Sequence, residues 1–437
     1  MLAAQATMRS ITTGPVCTAS AASISSTKSA GAPMNHAVSG TTESLKEIEA
    51  QPVRSDRRLA VLDALRGAAL FGVLSVNLMN GFRVSLFQQF LPAEAEGAWL
   101  DRMVAALVSV GMELKAFALF SLLFGVGLTM QFERLARYER RLSLLLRRLL
   151  VLLGLGLLHL CFIWNGDILT EYALIGLLVL PFLYVSNRTL IGTALVALAV
   201  YAALPFWLSV ALFWPSEEWL QQHVQIATVV YASGSWAEIV RYNLAEIPLM
   251  IPLHLFVAPR TFALFLLGTV VWRTGLLRHP EQHRRFLVGA AILGLALGFA
   301  MCLVEPVGPG SSWPLLAPVV SVLISLGPVV LAIGYAATFV SLYTFTAAGR
   351  LLSVLAPLGR MAFSNYLAQS LIFSGIFFGY GLGLFGRLTP SQAMLLGIIV
   401  YVIQIILSRW WLKRFRFGPM EWLWRTLMYG ARQPWRA

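Results

Sequence analysis

Ten runs of mostly apolar residues follow one another along this chain, near 62–82, 104–130, 142–164, 168–185, 189–214, 250–272, 286–304, 316–343, 361–385 and 391–411. A bilayer core takes about 20 apolar residues per helix. In lipid every backbone amide must find its partner inside the protein, and a helix does so within its own segment. Composition agrees: only 12% of the 437 residues are charged and 58% are hydrophobic, against about 25% charged in a soluble domain. The mean hydropathy is +0.74. The expected fold is all-α, a polytopic transmembrane helix bundle of about ten spans.

Charge sets the expected orientation. The formal charge is +13, from 33 basic and 20 acidic residues. With ten spans, Arg54, Arg57 and Arg58, the six arginines 134–148, Arg273, Arg278, Arg284 and Arg285, Arg350, and finally Arg409, Lys413, Arg414 and Arg416 all fall on one side. The other side carries Glu94, Glu96, Asp101, Glu217, Glu218, Glu238 and Glu305, with Arg83, Arg102, Arg241 and Arg387 scattered among them. The positive-inside rule then puts both termini in the cytoplasm and the chain in the cell's inner, cytoplasmic membrane as a multi-pass protein. The basic excess is accounted for by topology, so no nucleic-acid partner is expected; the bilayer is the partner. Cys17, Cys161 and Cys302 lie in separate segments without metal spacing, which argues against a disulfide or a zinc site. Residues 1–53, rich in Ser, Thr, Ala and Gly, read as a disordered cytoplasmic tail. Residues 54–412 form the bundle. The basic, aromatic segment 413–437 reads as an interfacial helix on the inner leaflet.

Polar residues inside the spans sort into two layers. The inner layer holds Asp63 and Arg66, spaced to pair on one helix face, with Arg147, Arg148, Arg360, Ser364, Asn365, Tyr366, Gln369 and Ser370. Basic groups here suit the phosphates of a cytoplasmic ligand; side-chain snorkelling and helix–helix hydrogen bonds are the plainer account. The outer layer holds Asn77, Asn80, Glu113, Lys115, His159, Asn165-Gly166-Asp167, Glu171, Tyr172, Glu246, His254 and Arg260. Of six histidines only His159 and His254 fall within spans. Asp167, one tight turn from His159, makes a base-and-orienter pair, or else caps the following helix. Glu113 is two residues from Lys115 and so on the wrong face to pair with it. Lys115 is therefore expected to meet a carboxylate on another helix, or a ligand. Pro248, Pro252 and Pro259 fall too close together for an unbroken helix. Residues 246–260 are thus expected to be irregular and to line a cavity, re-enter the membrane, or lie on its surface.

Several motifs in this order resemble one family. They are Asp63-Ala64-Leu65-Arg66-Gly67, Phe120-Ser121-Leu122-Leu123-Phe124-Gly125-Val126-Gly127, His159 with Gly166-Asp167-Ile168-Leu169, Gly359-Arg360-Met361-Ala362-Phe363-Ser364-Asn365-Tyr366, and Phe417-Gly418-Pro419-Met420-Glu421-Trp422. The chain from about 54 to 430 resembles the YeiB-like membrane proteins, domain of unknown function 418. That family is distantly similar to transmembrane acyltransferases, among them the lysosomal enzyme that acetylates heparan glucosamine. The resemblance implies an acyl group taken from cytoplasmic acyl-CoA and passed to an acceptor across the membrane through an embedded histidine. In the heparan enzyme that histidine lies between the helix of the first motif and the next. Here residues 68–130 contain none, so His159 is a candidate on chemical grounds alone.

Two functions are expected to compete. In an acyltransferase, His159 and Asp167 are catalytic, while Asn77, Lys115, Glu246, His254 and Arg260 bind an envelope glycan or small-molecule acceptor. Asp63, Arg66, Arg360 and Asn365 then hold acyl-CoA, a co-substrate and not a resident cofactor; no metal is expected. In a transporter the same polar groups line a path for a small molecule.

Overall fold

Among the described residues the first helix begins three residues before Asp63. In the computed structural model, which describes residues 60–92, 98–207, 215–304 and 316–436, α1 (Ala60–Asn77) opens with Asp63 in its first turn. Arg66 Nη1 meets Asp63 Oδ1 at 3.1 Å, the i, i+3 pairing the spacing implies. The expected tail 1–53, with Arg54, Arg57, Arg58, Glu94, Glu96 and Glu305, lies outside the described residues. Among the described residues the regular structure is helical, with no strand beyond one isolated bridge between Phe415 and Arg436.

α1 runs on through a π-helical turn (Leu78–Phe82). Then come α2 (Trp99–Gly111), α3 (Lys115–Arg134), α4 (Arg141–Phe162), α5 (Leu169–Val179) and α6 (Asn187–Trp207). They are followed by α7 (Glu217–Ser233), α8 (Trp236–Arg273), α9 (Arg284–Cys302) and α10 (Ala317–Phe345). Two short helical turns, Ala348–Leu352 and Ala356–Arg360, lead into α11 (Ala362–Phe377), α12 (Pro390–Leu412) and α13 (Pro419–Tyr429). Eight helical stretches among the described residues have the length and apolarity to cross a bilayer.

The two remaining expected spans are shorter. Leu169–Tyr184 and α11 have 16 residues each, about 24 Å at 1.5 Å per residue. Both still join the same two ends of the bundle as the long helices. α5 starts beside His159, and past its end the carbonyls of Leu183 and Val185 accept hydrogen bonds from Arg273, the last residue of α8. α11 starts at Arg360, and past its end the Gly379 amide donates to the Tyr231 carbonyl at 2.7 Å, on α7. One end thus carries Arg66, Arg360 and α13; the other carries the α4–α5 turn, α7 and the start of α8.

Two expectations about elements change, and a third element gains a packing contact. The span expected at 104–130 is broken: α2 ends at Gly111 and α3 begins at Lys115, across Leu114 at φ 61°. The irregular segment expected at 246–260 is instead part of one continuous 38-residue helix, α8. Each proline removes one amide and the ladder closes around it. Packing on α3 and α6 and a capping box at Ser235 and Glu238 hold the helix together. At about 57 Å α8 exceeds a bilayer core, so its first turns stand beyond it with α7. The segment expected to lie on the leaflet also packs inward: Met428 of α13 is buried, and Trp424 Nε1 donates to the Arg148 carbonyl at 2.8 Å.

Candidate functional site

The turn between α4 and α5 organises the polar end. Asp167 and Glu171 each pair with a different histidine, and Asn165 donates to the carboxylate that holds a third. His159 Nδ1 lies 2.9 Å from Asp167 Oδ1, and the two side chains are 1% and 0% exposed. The other oxygen of Asp167 accepts the Thr170 amide at 2.7 Å. One carboxylate thus contacts both the imidazole and an amide in the first turn of α5, whose N-cap position is Ile168. With Nδ1–H committed to Asp167, the lone pair of His159 is on Nε2, which is buried and has no hydrogen-bond partner. The Tyr366 ring sits 5.4 Å from the imidazole, and its buried hydroxyl makes no hydrogen bond.

A second pair was not foreseen. Glu246 Oε1 is 2.6 Å from His223 Nε2, on α7. Its Oε2 accepts Asn165 Nδ2 at 2.5 Å and the Tyr231 hydroxyl at 2.8 Å. Tyr231 is also 2.6 Å from Asn243 Oδ1, but one hydroxyl proton serves one acceptor. With the Asn243 amide turned, its otherwise unpartnered Nδ2 donates to Tyr231, and Tyr231 donates to Glu246. Burial, then the Glu246 carboxylate beside it, pushes the Tyr231 phenol well above its ordinary value and keeps it a donor. His223 stacks on Trp219 at 4.7 Å and meets Phe87 edge-on. α7 carries no span signal, so the sequence offered no reason to place His223 beside Glu246.

The remaining outer candidates separate. His254 Nδ1 pairs with Glu171 Oε2 at 2.9 Å, and Thr261 donates to the other oxygen at 2.6 Å. Arg260, 4% exposed, lies against the Tyr201 ring, and its Nε and Nη1 have no partner. Fourteen residues of continuous helix set Glu246 and Arg260 about 21 Å apart, so the two cannot grip one small ligand together. Asn77 is buried where α1 meets the π-turn. Lys115 meets no carboxylate on another helix among the described residues; its Nζ donates to the Ser109 carbonyl at 3.0 Å.

At the other end lies a cavity of about 250 Å³. Four guanidinium groups line it: Arg66 of α1, Arg148 of α4, Arg360 and Arg425 of α13. Arg148 donates to Gln131 Oε1 at 2.7 Å and stacks on Trp424 at 4.1 Å. The Nε atoms of Arg148 and Arg360 have no partner. Two carboxylates stand against the four cations. Asp63 pairs with Arg66; Glu421 accepts the amides of Phe363 and Ser364 and the Ser364 hydroxyl, closing the start of α11. Burial pushes the Glu421 carboxyl above its usual range against the pull of those bonds. Burial likewise lowers the Arg425 guanidinium. The cavity walls are otherwise mostly apolar, and they continue to Ile168, Tyr172 and Tyr366. The cavity therefore reaches from the arginines to the residue next to Asp167 and the ring against His159. Asn365 is not part of this lining: its amide donates to Leu358 and Ser408, and with Gln369 and Gln404 it ties α11 to α12. Glu421 stood in the last motif without an expected role, and Arg425 lies three residues beyond that motif. Arg148 was read as a snorkelling side chain.

Fold and site together define a class: a polytopic helical protein of membrane type with an arginine-lined cavity and, outside its lining, buried histidine–carboxylate pairs. A family model described as a protein of unknown function (DUF418) matches residues 271–431. The uncharacterized protein YxaH of Bacillus subtilis (strain 168) is 35% identical over 402 residues, covering 88% of this chain and 97% of the relative. An uncharacterized 39.9 kDa protein from the amylase 3' region of Bacillus acidopullulyticus is 30% identical over 88% of this chain and 97% of its own length. The uncharacterized protein YeiB of Escherichia coli (strain K12) is 28% identical over 86% and 98%. The chain belongs to the DUF418 family.

Proposed function

We propose that the protein is a transmembrane acyltransferase in the inner membrane, with the arginine end and both termini in the cytoplasm. The observation that carries this reading is the cavity with cations at one end and the Tyr366–His159 contact at the other. Arg66, Arg148, Arg360 and Arg425 bind the phosphates of acyl-CoA, and its thioester arm lies along the apolar wall. Arg148 and His159 are eleven residues apart on α4, about 16 Å, a distance that an extended pantetheine arm bridges.

His159 Nε2 attacks the acyl carbonyl. A C–N bond forms, the C–S bond breaks, and CoA leaves as the thiolate. Asp167 holds the Nδ1 proton and stabilises the cationic acyl-imidazole. The hydroxyl or amine of an extracytoplasmic acceptor then attacks the same carbonyl. The new C–O or C–N bond forms as the bond to Nε2 breaks, and the acceptor's proton passes to water.

Isothermal titration of the purified protein with acetyl-CoA, beside turnover assays, tests the reading. Binding is expected to weaken by roughly tenfold to a hundredfold in Arg360→Ala, the worth of one charge-assisted hydrogen bond. Turnover is expected to vanish in His159→Ala while binding persists. Absence of CoA binding to the folded protein overturns the proposal. The break at Leu114 favours a second reading, a transporter with a discontinuous helix; solute uptake by proteoliposomes without CoA turnover would decide for it.

A further inference from the structure

Lys115 is used by neither the cavity nor the histidine pairs. It follows Leu114, whose φ of 61° puts a side-chain-bearing residue in the strained left-handed region. That turn sets Lys115 inside the protein, 5% exposed. One of its three N–H donors goes to the Ser109 carbonyl. Among the described residues no carboxylate comes within ion-pair distance of it. Glu113 acts on it electrostatically without an ion-pair contact, so a cation held at bilayer depth keeps two donors for a further anionic partner.

The ammonium opens on a lateral groove of about 690 Å³ between α1, α2, α3, α9 and α10. Leu65, Ala68, Met103, Leu107, Phe299 and Phe339 are among its walls, and Tyr335 is the only other polar side chain along it. The groove is therefore a slot for hydrocarbon with one positive charge.

We propose that this groove binds one acyl chain of an anionic phospholipid from the surrounding bilayer, with the lipid phosphate paired to Lys115. A zwitterionic lipid brings its own cation to that phosphate and gains less from the ammonium. The site is independent of the acyltransferase reading, because none of its residues lines the arginine cavity.

The test uses the full chain in nanodiscs of equal phosphatidylglycerol and phosphatidylcholine, with retained lipid counted by native mass spectrometry. The wild type is expected to retain phosphatidylglycerol preferentially. Lys115→Met is expected to lose that preference by about tenfold, the worth of one charge-assisted contact, and Lys115→Arg to keep it. Gly111 lines the groove and a Cβ there meets nothing within 4 Å, so Gly111→Trp directs a large ring into the slot and is expected to lose both lipids. Lack of preference in the wild type, preference kept in Lys115→Met, or lipid retained in Gly111→Trp overturns the proposal. If Lys115→Met does not fold, the Gly111→Trp and Lys115→Arg pair decides.

Discussion

At the scale of single residues, Asp167 does two jobs with two oxygens, and one substitution separates them. In Asp167→Asn the amide oxygen still accepts the Thr170 amide, and Asn is as good a cap as Asp. Thermal stability is expected to stay within about 1 kcal/mol of wild type on that account. The amide nitrogen, however, now faces His159 Nδ1 and donates to it, which moves the imidazole proton to Nε2 and removes the nucleophilic lone pair. Acyl transfer is expected to fall by about 10²–10⁴-fold. Normal turnover in a well-folded Asp167→Asn would remove His159 from the mechanism. The pair was legible in sequence because both partners belong to one helical hairpin, eight residues apart. The His223–Glu246 pair was not, since its members lie 23 residues apart on elements of which only one carries a span signal. Nor was the partner of His254: Glu171 is 83 residues away, and only tertiary packing selects it.

At the scale of elements, the motif glycines become contact surfaces. α3 and α8 approach so closely that a Cβ on Gly125 would strike the Phe265 backbone and one on Gly268 the Leu122 carbonyl. Thr129 and Thr269 hydrogen-bond at 2.9 Å across the same seam. This is the small-residue packing by which helices associate in lipid. Gly268→Leu is expected to separate the two helices and abolish folded, monodisperse protein on size-exclusion chromatography, whereas Gly154→Leu, where a Cβ meets nothing, is expected to be tolerated. The prolines of α8 misled for a related reason. Proline rules describe an isolated helix, and here neighbouring helices hold the backbone in register despite each lost amide. α13 offers a pH test. Glu421 titrates higher folded than its ordinary value of 4.5, so the folded state binds its proton more tightly. Its contribution to stability is then greatest below pH 4.5 and lost as pH rises through the folded-state value. Glu421→Gln removes that dependence while keeping an acceptor for the α11 amides. Measured by thermal unfolding between pH 4 and pH 8, the advantage of wild type over Glu421→Gln should shrink as pH rises. A constant difference would mean that burial does not perturb this carboxyl.

At the scale of the whole molecule, hydropathy is local and the cavity is not. Each apolar run announces a helix by itself. Topology put Arg66, Arg148 and Arg360 in one inner layer, but nothing in the chain shows that these three, with Arg425, line a single cavity. Two of the ten runs give short helices. α5 and α11 supply Leu169, Tyr172, Phe363 and Tyr366 to the cavity wall. Their inward faces form that wall while Leu174, Leu178 and Leu371 stay exposed; a span shorter than the hydrocarbon is accommodated by local thinning of the bilayer. The proposed orientation rests on counting the two short helices with the eight long ones, which the contacts of Arg273 and Gly379 support; an even count keeps the arginine clusters on one side, proposed to be the cytoplasm. Reporter fusions test this directly. Green fluorescent protein after residue 436 is expected to fluoresce, and alkaline phosphatase inserted at Gly234, in the turn between α7 and α8, is expected to be active. If the phosphatase is active at the C-terminal fusion instead, the polarity is reversed. The arginine cavity would then open away from the cytoplasmic acyl-CoA pool, and the proposed direction of transfer would fall with it.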